Sequence, residues 1–138
     1  MIRKLLLGLL ICLMTAAFTG EAFAKTEASA KAKLDTFVTE YVKKANKRMS
    51  VNRKKPQVEK RGSVYVARFT EIDEKTAFAE MRKSKSKHFQ YVATLRYMEY
   101  TYESEGKTKK EALNGKFRPV KMRKLSELPR YVKGKWEN

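Results

Sequence analysis

The sequence predicts an α+β domain in which one long N-terminal amphipathic helix packs on a curved antiparallel sheet of about four to five strands. Three observations lead there. Apolar residues recur at helical spacing over residues 29–48. At Gln57 the composition switches to Val, Tyr, Phe and Thr, broken by short turn signals. One long aromatic strand then changes its alternation phase midway.

The helix is read from Ser29 to Arg48. Ala30, Leu34, Phe37, Val38, Tyr41 and Ala45 form one stripe, and Lys31, Lys33, Asp35, Glu40, Lys43, Lys44 and Lys47 fall mostly off it. The preceding Lys25–Ser29 is a polar, Ala-rich lead-in expected to fray. The basic segment Ser50–Pro56 breaks the pattern, and Pro56 disfavours helix at Lys55. Gln57–Ile72 reads as a strand bent at Gly62, Asp73-Glu74-Lys75 as a turn, and Thr76–Arg82 as the next strand. If that turn sets Ile72 opposite Thr76, Arg68 falls opposite Glu80. Lys83–Lys87 reads as an exposed loop.

Phe89–Glu103 is the longest strand. Phe89, Tyr91, Ala93, Leu95 and Tyr97 share one face, whereas Met98, Tyr100 and Tyr102 are apolar on the other parity. A β-bulge near Tyr97–Met98 would bring both sets to one face; a straight strand half-buried on both faces is the alternative. Thr108-Lys109-Lys110-Glu111 matches a capping box, so a short helical turn is expected up to Asn114-Gly115. Lys116–Leu125 and Tyr131–Trp136 complete the strands. Trp136, the one tryptophan, is expected to pack and so tie down the C-terminus.

This layout, over roughly Ser29–Trp136, resembles the cystatin-like and NTF2-like α+β folds. Those folds carry many unrelated functions, so the resemblance implies an architecture and no activity. Tyr97-x-Glu99-Tyr100 and the closing Gly134-Lys135-Trp136 resemble small uncharacterised secreted bacterial proteins.

The N-terminus has the three parts of an export signal. Arg3 and Lys4 are positive, Leu5–Phe18 is uncharged and mostly apolar, and Ala22-Phe23-Ala24 is a small-x-small cleavage site. The uncharged run Leu5–Gly20 has 16 residues, short of the ~18 that read as a spanning helix. Ile11 before Cys12 is too large for the residue preceding a lipidated cysteine. A cleavable signal over residues 1–24 and one domain over 25–138 are therefore expected, in a bacterial periplasm or the medium. An uncleaved N-terminal anchor is the alternative.

Cleavage after Ala24 removes Arg3, Lys4 and Glu21. It leaves 114 residues with 30 basic and 14 acidic side chains, a net of +16. Such a charge favours polyanionic partners; a merely solvated basic surface is the plainer reading. The single cysteine lies in the signal, so the mature domain has no disulfide, thiol nucleophile or thiolate metal site. His88 is the only histidine, which excludes His-pair metal sites. No Gly-rich phosphate loop or metal-ligand spacing is present, so neither metal nor cofactor is expected.

Catalytic groupings are thin. His88 stands beside Lys83, Lys85 and Lys87, whose charge disfavours imidazolium. Asp35 and Asp73 are the only aspartates, and no G-x-S-x-G occurs. Glu71, Glu80, Glu99 and Glu103 lie on strands and could form a carboxylate pair for sugar hydrolysis, but ion pairing with the abundant cations competes with that role.

Three basic clusters remain. One runs from the helix end into the first loop: Lys43, Lys44, Lys47, Arg48, Arg53, Lys54 and Lys55. Arg82, Lys83, Lys85 and Lys87 form the second. Arg118, Lys121 and Arg123, with Lys116 and Lys124, form the third. The second and third supply the candidate ligand-binding residues. Tyrosines beside cations also suit single-stranded nucleic acid, but export argues against that ligand. The expected partner of a non-enzymatic module is an anionic lipid, lipopolysaccharide or wall polymer, or an acidic protein. A small-ligand or hydrolytic site between helix and sheet is the alternative. Apolar residues of both parities (Val64, Val66 and Ile72 against Tyr65, Ala67 and Phe69) also leave a homo-oligomer open.

Overall fold

The computed structural model describes the backbone of residues 18–138 and the side chains from residue 26 onward. The charged start of the expected export signal, most of its apolar run and Cys12 lie outside the described residues.

Helix α1 spans Phe18–Arg48. Its C-terminus falls where the sequence pattern stops, but it begins eleven residues before Ser29, so the lead-in is helical rather than frayed. Ala-rich sequence through residues 22–32 has no breaker, and Ala has the highest helix propensity. The buried line along α1 is Ala30, Leu34, Val38 and Val42, a strict i, i+4 row. Phe37, Tyr41 and Ala45 flank it, half-buried. The core stripe is thus rotated slightly from the one expected, which omitted Val42.

Six strands form one antiparallel sheet: β1 (Gln57–Arg61), β2 (Val64–Lys83), β3 (Tyr91–Gly106), β4 (Arg118–Glu127), β5 (Arg130–Val132) and β6 (Lys135–Glu137). The order is β1-β2-β3-β5-β6, and β4 pairs with another stretch of β3. A short helix, α2 (Lys109–Asn114), joins β3 to β4. The six strands exceed the four to five expected because two segments read as single strands are hairpins. Gly62 (φ 61°) turns β1 into β2. Lys133 (φ 48°) and Gly134 (φ 80°) turn β5 into β6. Two successive positive-φ residues match the right-handed twist of a tight hairpin.

Conversely, Asp73-Glu74-Lys75 does not end a strand. Its turn chemistry is present: Lys75 N donates to Asp73 Oδ1 (3.0 Å) and Thr76 Oγ1 to the Asp73 carbonyl (2.7 Å). The result is an irregularity inside β2. Asp73 pairs with Met98 and Phe78 with Arg96, so four β2 residues face Tyr97 alone. The Thr76 hydroxyl accepts from Met98 N (2.9 Å) and replaces a missing backbone partner. The phase disturbance foreseen at Tyr97–Met98 is there, but the inserted residues are on β2. β3 keeps one parity, and Met98, Tyr100 and Tyr102 stay on the face away from Tyr97. Arg68 consequently lies opposite Glu103 and Gln57, not Glu80.

Each sheet face has its own core. On one, α1 covers Ile72, Tyr91, Ala93, Leu95 and Tyr97, and Tyr131 and Trp136 close the end. Trp136 is buried and donates Nε1–H to the Ala30 carbonyl (2.8 Å). On the other, Phe69 stacks on Tyr102 (5.0 Å between ring centres) and meets Phe117 (4.9 Å). The Thr108 cap holds α2 there: Thr108 Oγ1 accepts from Glu111 N at 3.1 Å. Glu111 Oε2 reaches back to Lys107 N rather than to the cap itself.

Candidate functional site

α1 ends at Arg48 while the sheet continues beneath it. The chain after the helix is organised by Asn52. Its Nδ2 donates to the Met49 carbonyl (2.8 Å), and its Oδ1 accepts from Lys54 N (2.9 Å) and Lys55 N (3.1 Å). This turn lays residues 49–52 along the edge of β2, where Thr70 N donates to the Val51 carbonyl (3.2 Å).

Beyond that loop the helix-covered face of the sheet is open. Two adjoining concavities of about 400 and 330 Å³ share Val51, Thr70, Thr101 and Lys121. Strand register explains the lining. Thr70, Thr101 and Lys121 form one row across β2, β3 and β4. Ile72, Glu99 and Arg123 form the row on one side; Arg68, Glu103 and Arg118 form the row on the other. A third concavity, of about 510 Å³, lies round the β2 edge among Lys47, Arg53, Lys54 and Lys55 and shares Thr70.

The carboxylates here are committed. Glu99 is nearly buried and accepts from Arg123 Nε (2.9 Å) and Nη2. Glu103 takes a two-pronged bond from Arg61, at 3.0 and 2.8 Å. Elsewhere Arg53 binds Glu71 and also lies 4.7 Å over the Phe69 ring, and Arg96 binds Glu80 at 2.6 Å. Each glutamate considered for sugar hydrolysis therefore has an arginine partner. Glu99 and Glu103 are moreover four residues apart on one strand, roughly 13 Å at ~3.3 Å per residue, beyond the ~5–9.5 Å of a hydrolytic pair. In contrast, Arg68, Arg118, Lys121, Lys54 and Lys55 have no carboxylate within ion-pair distance among the described residues.

Of the residues singled out in the sequence, Lys121 and Arg123 line this cleft, Arg118 lies in the adjoining row opposite Glu103, and the first basic cluster approaches from the loop. Arg82, Lys83, Lys85 and Lys87 do not. They lie at the opposite end of the sheet, where Arg82 pairs with Val92. That is about nine residues along β3 from Thr101, or roughly 30 Å. Lys83 there makes a 3.8 Å contact with Glu27. His88 is exposed, with its backbone N–H on Ser86 Oγ. Arg68, Thr70 and Thr101 line the cleft without having been singled out; the even parity of Arg68, Thr70 and Ile72 was the available signal. No group of three or more His, Cys, Asp or Glu able to hold a metal occurs among the described residues. No helix among them is long and apolar enough to cross a membrane. Comparison with protein-family models, curated proteins and solved structures finds no match to this chain.

Proposed function

We propose that the mature domain is a non-enzymatic, exported module that binds an anionic macromolecule through the cleft beyond α1. The observation that carries this is the imbalance of pairing. The carboxylates at the cleft are occupied by arginines, while Arg68, Arg118 and Lys121 are unmatched around the Thr70 and Thr101 hydroxyls. Unmatched cations beside hydroxyl donors suit phosphate or carboxylate groups. The filled space between α1 and the sheet weighs against a small-ligand pocket there.

The test is binding of the processed chain to phosphatidylglycerol vesicles, lipopolysaccharide, anionic wall polymer and polyglutamate across a salt series. Affinity is expected to fall steeply between low and physiological salt. The triple change Arg68→Gln, Arg118→Gln, Lys121→Gln should weaken binding more than Arg82→Gln, Lys85→Gln, Lys87→Gln, which removes the same charge roughly 30 Å away. Equal losses from both triples would point to diffuse charge, and no binding at low salt would remove the proposal.

A further inference from the structure

β4 lies at the outer edge of the sheet. Its partner among the described strands is β3 alone, and Lys121–Glu127 pairs with Thr101–Leu95 without interruption. The other side of that seven-residue run presents unpaired backbone N–H and C=O groups. The run has a defined start. Val120 is an extra residue in the register, and Pro119 before it has no N–H to offer.

Side chains alternate between the faces of this edge. Lys121 and Arg123 are on the cleft side, Arg123 held by Glu99 and Lys121 unmatched. Met122, about half exposed, and the unmatched Lys124 are on the outer side, opposite Tyr100 and Met98. The edge is therefore cationic on both faces with an apolar spot between. A second copy pairing here would bring lysine and arginine against lysine and arginine. Like charges directly opposite destabilise a strand pair, and a net charge of +17 adds repulsion at longer range.

We infer that β4 accepts an added strand from an acidic polypeptide. Acids on that strand lie opposite Lys121 and Lys124, and an apolar side chain lies opposite Met122. Main-chain hydrogen bonds supply the affinity and the side-chain pattern the selection. This rests on the proposed anion-binding reading and narrows its ligand to a protein segment.

The experiment uses the processed chain and three synthetic peptides of equal charge built on the repeat Glu-Thr-Val-Glu. One is unmodified, one is N-methylated at odd positions and one at even positions. An added strand uses alternate amides, so one methylated frame should bind at least tenfold more weakly than the other. The unmodified peptide should also slow amide exchange within residues 121–127. Equal binding of the two frames, or protection confined to other strands, would overturn strand addition. If the chain dimerises through β4 and excludes the peptide, the acidic partner is wrong. Vesicle or polymer binding without frame dependence removes strand addition alone, whereas failure of every anionic probe at low salt removes the parent reading as well.

Discussion

Asn46 holds both backbone groups of a single residue, Ile72. Its Oδ1 accepts from Ile72 N at 2.7 Å, and its Nδ2 donates to the Ile72 carbonyl at 3.0 Å. β1 pairs with β2 no further than Arg68 and the loop after α1 bonds Thr70 through Val51, so at Ile72 the amide stands in for a neighbouring strand. Replacing Asn46 with Ala removes both bonds and leaves two part-buried groups unmatched, an expected cost of about 1–3 kcal/mol. Urea titration measures it. A change below about 0.5 kcal/mol would show that water substitutes for the amide.

The line of the helix core sets an order among substitutions. Leu34 is buried and should cost about 2–5 kcal/mol as Leu34→Ala. Phe37 is larger but half-buried on the flank. Phe37→Ala should fall below the ~3–5 kcal/mol of a buried phenylalanine and below Leu34→Ala. The reverse order would place Phe37 at the centre of the interface.

Arg123 should matter to stability through Glu99. The Glu99 side chain is 11% exposed, whereas that of Arg123 is 55% exposed. Arg123→Ala leaves a nearly buried carboxylate without its cation, and a loss of about 1–3 kcal/mol is expected. Adding Glu99→Gln should recover part of it, because the stranded charge is gone. Losses that simply add would show the two side chains to be energetically independent.

Alkaline pH should unfold the domain in a defined direction. Burial, then the hydrogen bond with Tyr41, pushes the Tyr97 hydroxyl above the usual tyrosine value, and negative Glu127 adds to this. Burial, with Glu71 and Asp73 nearby, moves Tyr102 the same way. The folded chain therefore holds these protons more tightly than the unfolded one. Their contribution is fully present below the ordinary pKa of about 10 and is lost as pH rises from there toward the raised folded value. Denaturant midpoints between pH 8 and 11.5 should drop above pH 10, and less so in Tyr97→Phe. Identical profiles for the two proteins would contradict this origin.

Trp136 should report on the folded state. Native emission should be blue-shifted and resistant to acrylamide, moving red on unfolding, as its burial and its bond to Ala30 require. Native emission that is already red, and turns blue on adding vesicles, would make the ring a surface residue.

Periodicity revealed what depends on near neighbours. The end of α1 at Arg48, the Thr108 cap and the shared face of Tyr91, Ala93, Leu95 and Tyr97 were all legible. Segmentation at Asp73 was not. The same Asp73–Lys75 hydrogen bond serves a hairpin or a bulge, and only pairing with Met98 and Arg96 decides. At the cleft, Arg118, Lys121 and Arg123 stood out as a cluster. Arg68, fifty residues before Arg118, and Thr101, twenty before Lys121, join them across strands, a proximity that no local pattern encodes.

The bond from Trp136 to Ala30 spans 106 positions of the chain. It has a temporal consequence. During synthesis α1 emerges before the strands, and β5 and β6 follow the other described strands. The stretch of core formed by Ala30, Tyr91, Tyr131 and Trp136 cannot be completed before Trp136 itself is free. Closing so long a loop comes late, because its entropy is lost before its contacts form. A chain truncated just short of Trp136 keeps its helix and its long strands but lacks the side chain that covers their junction.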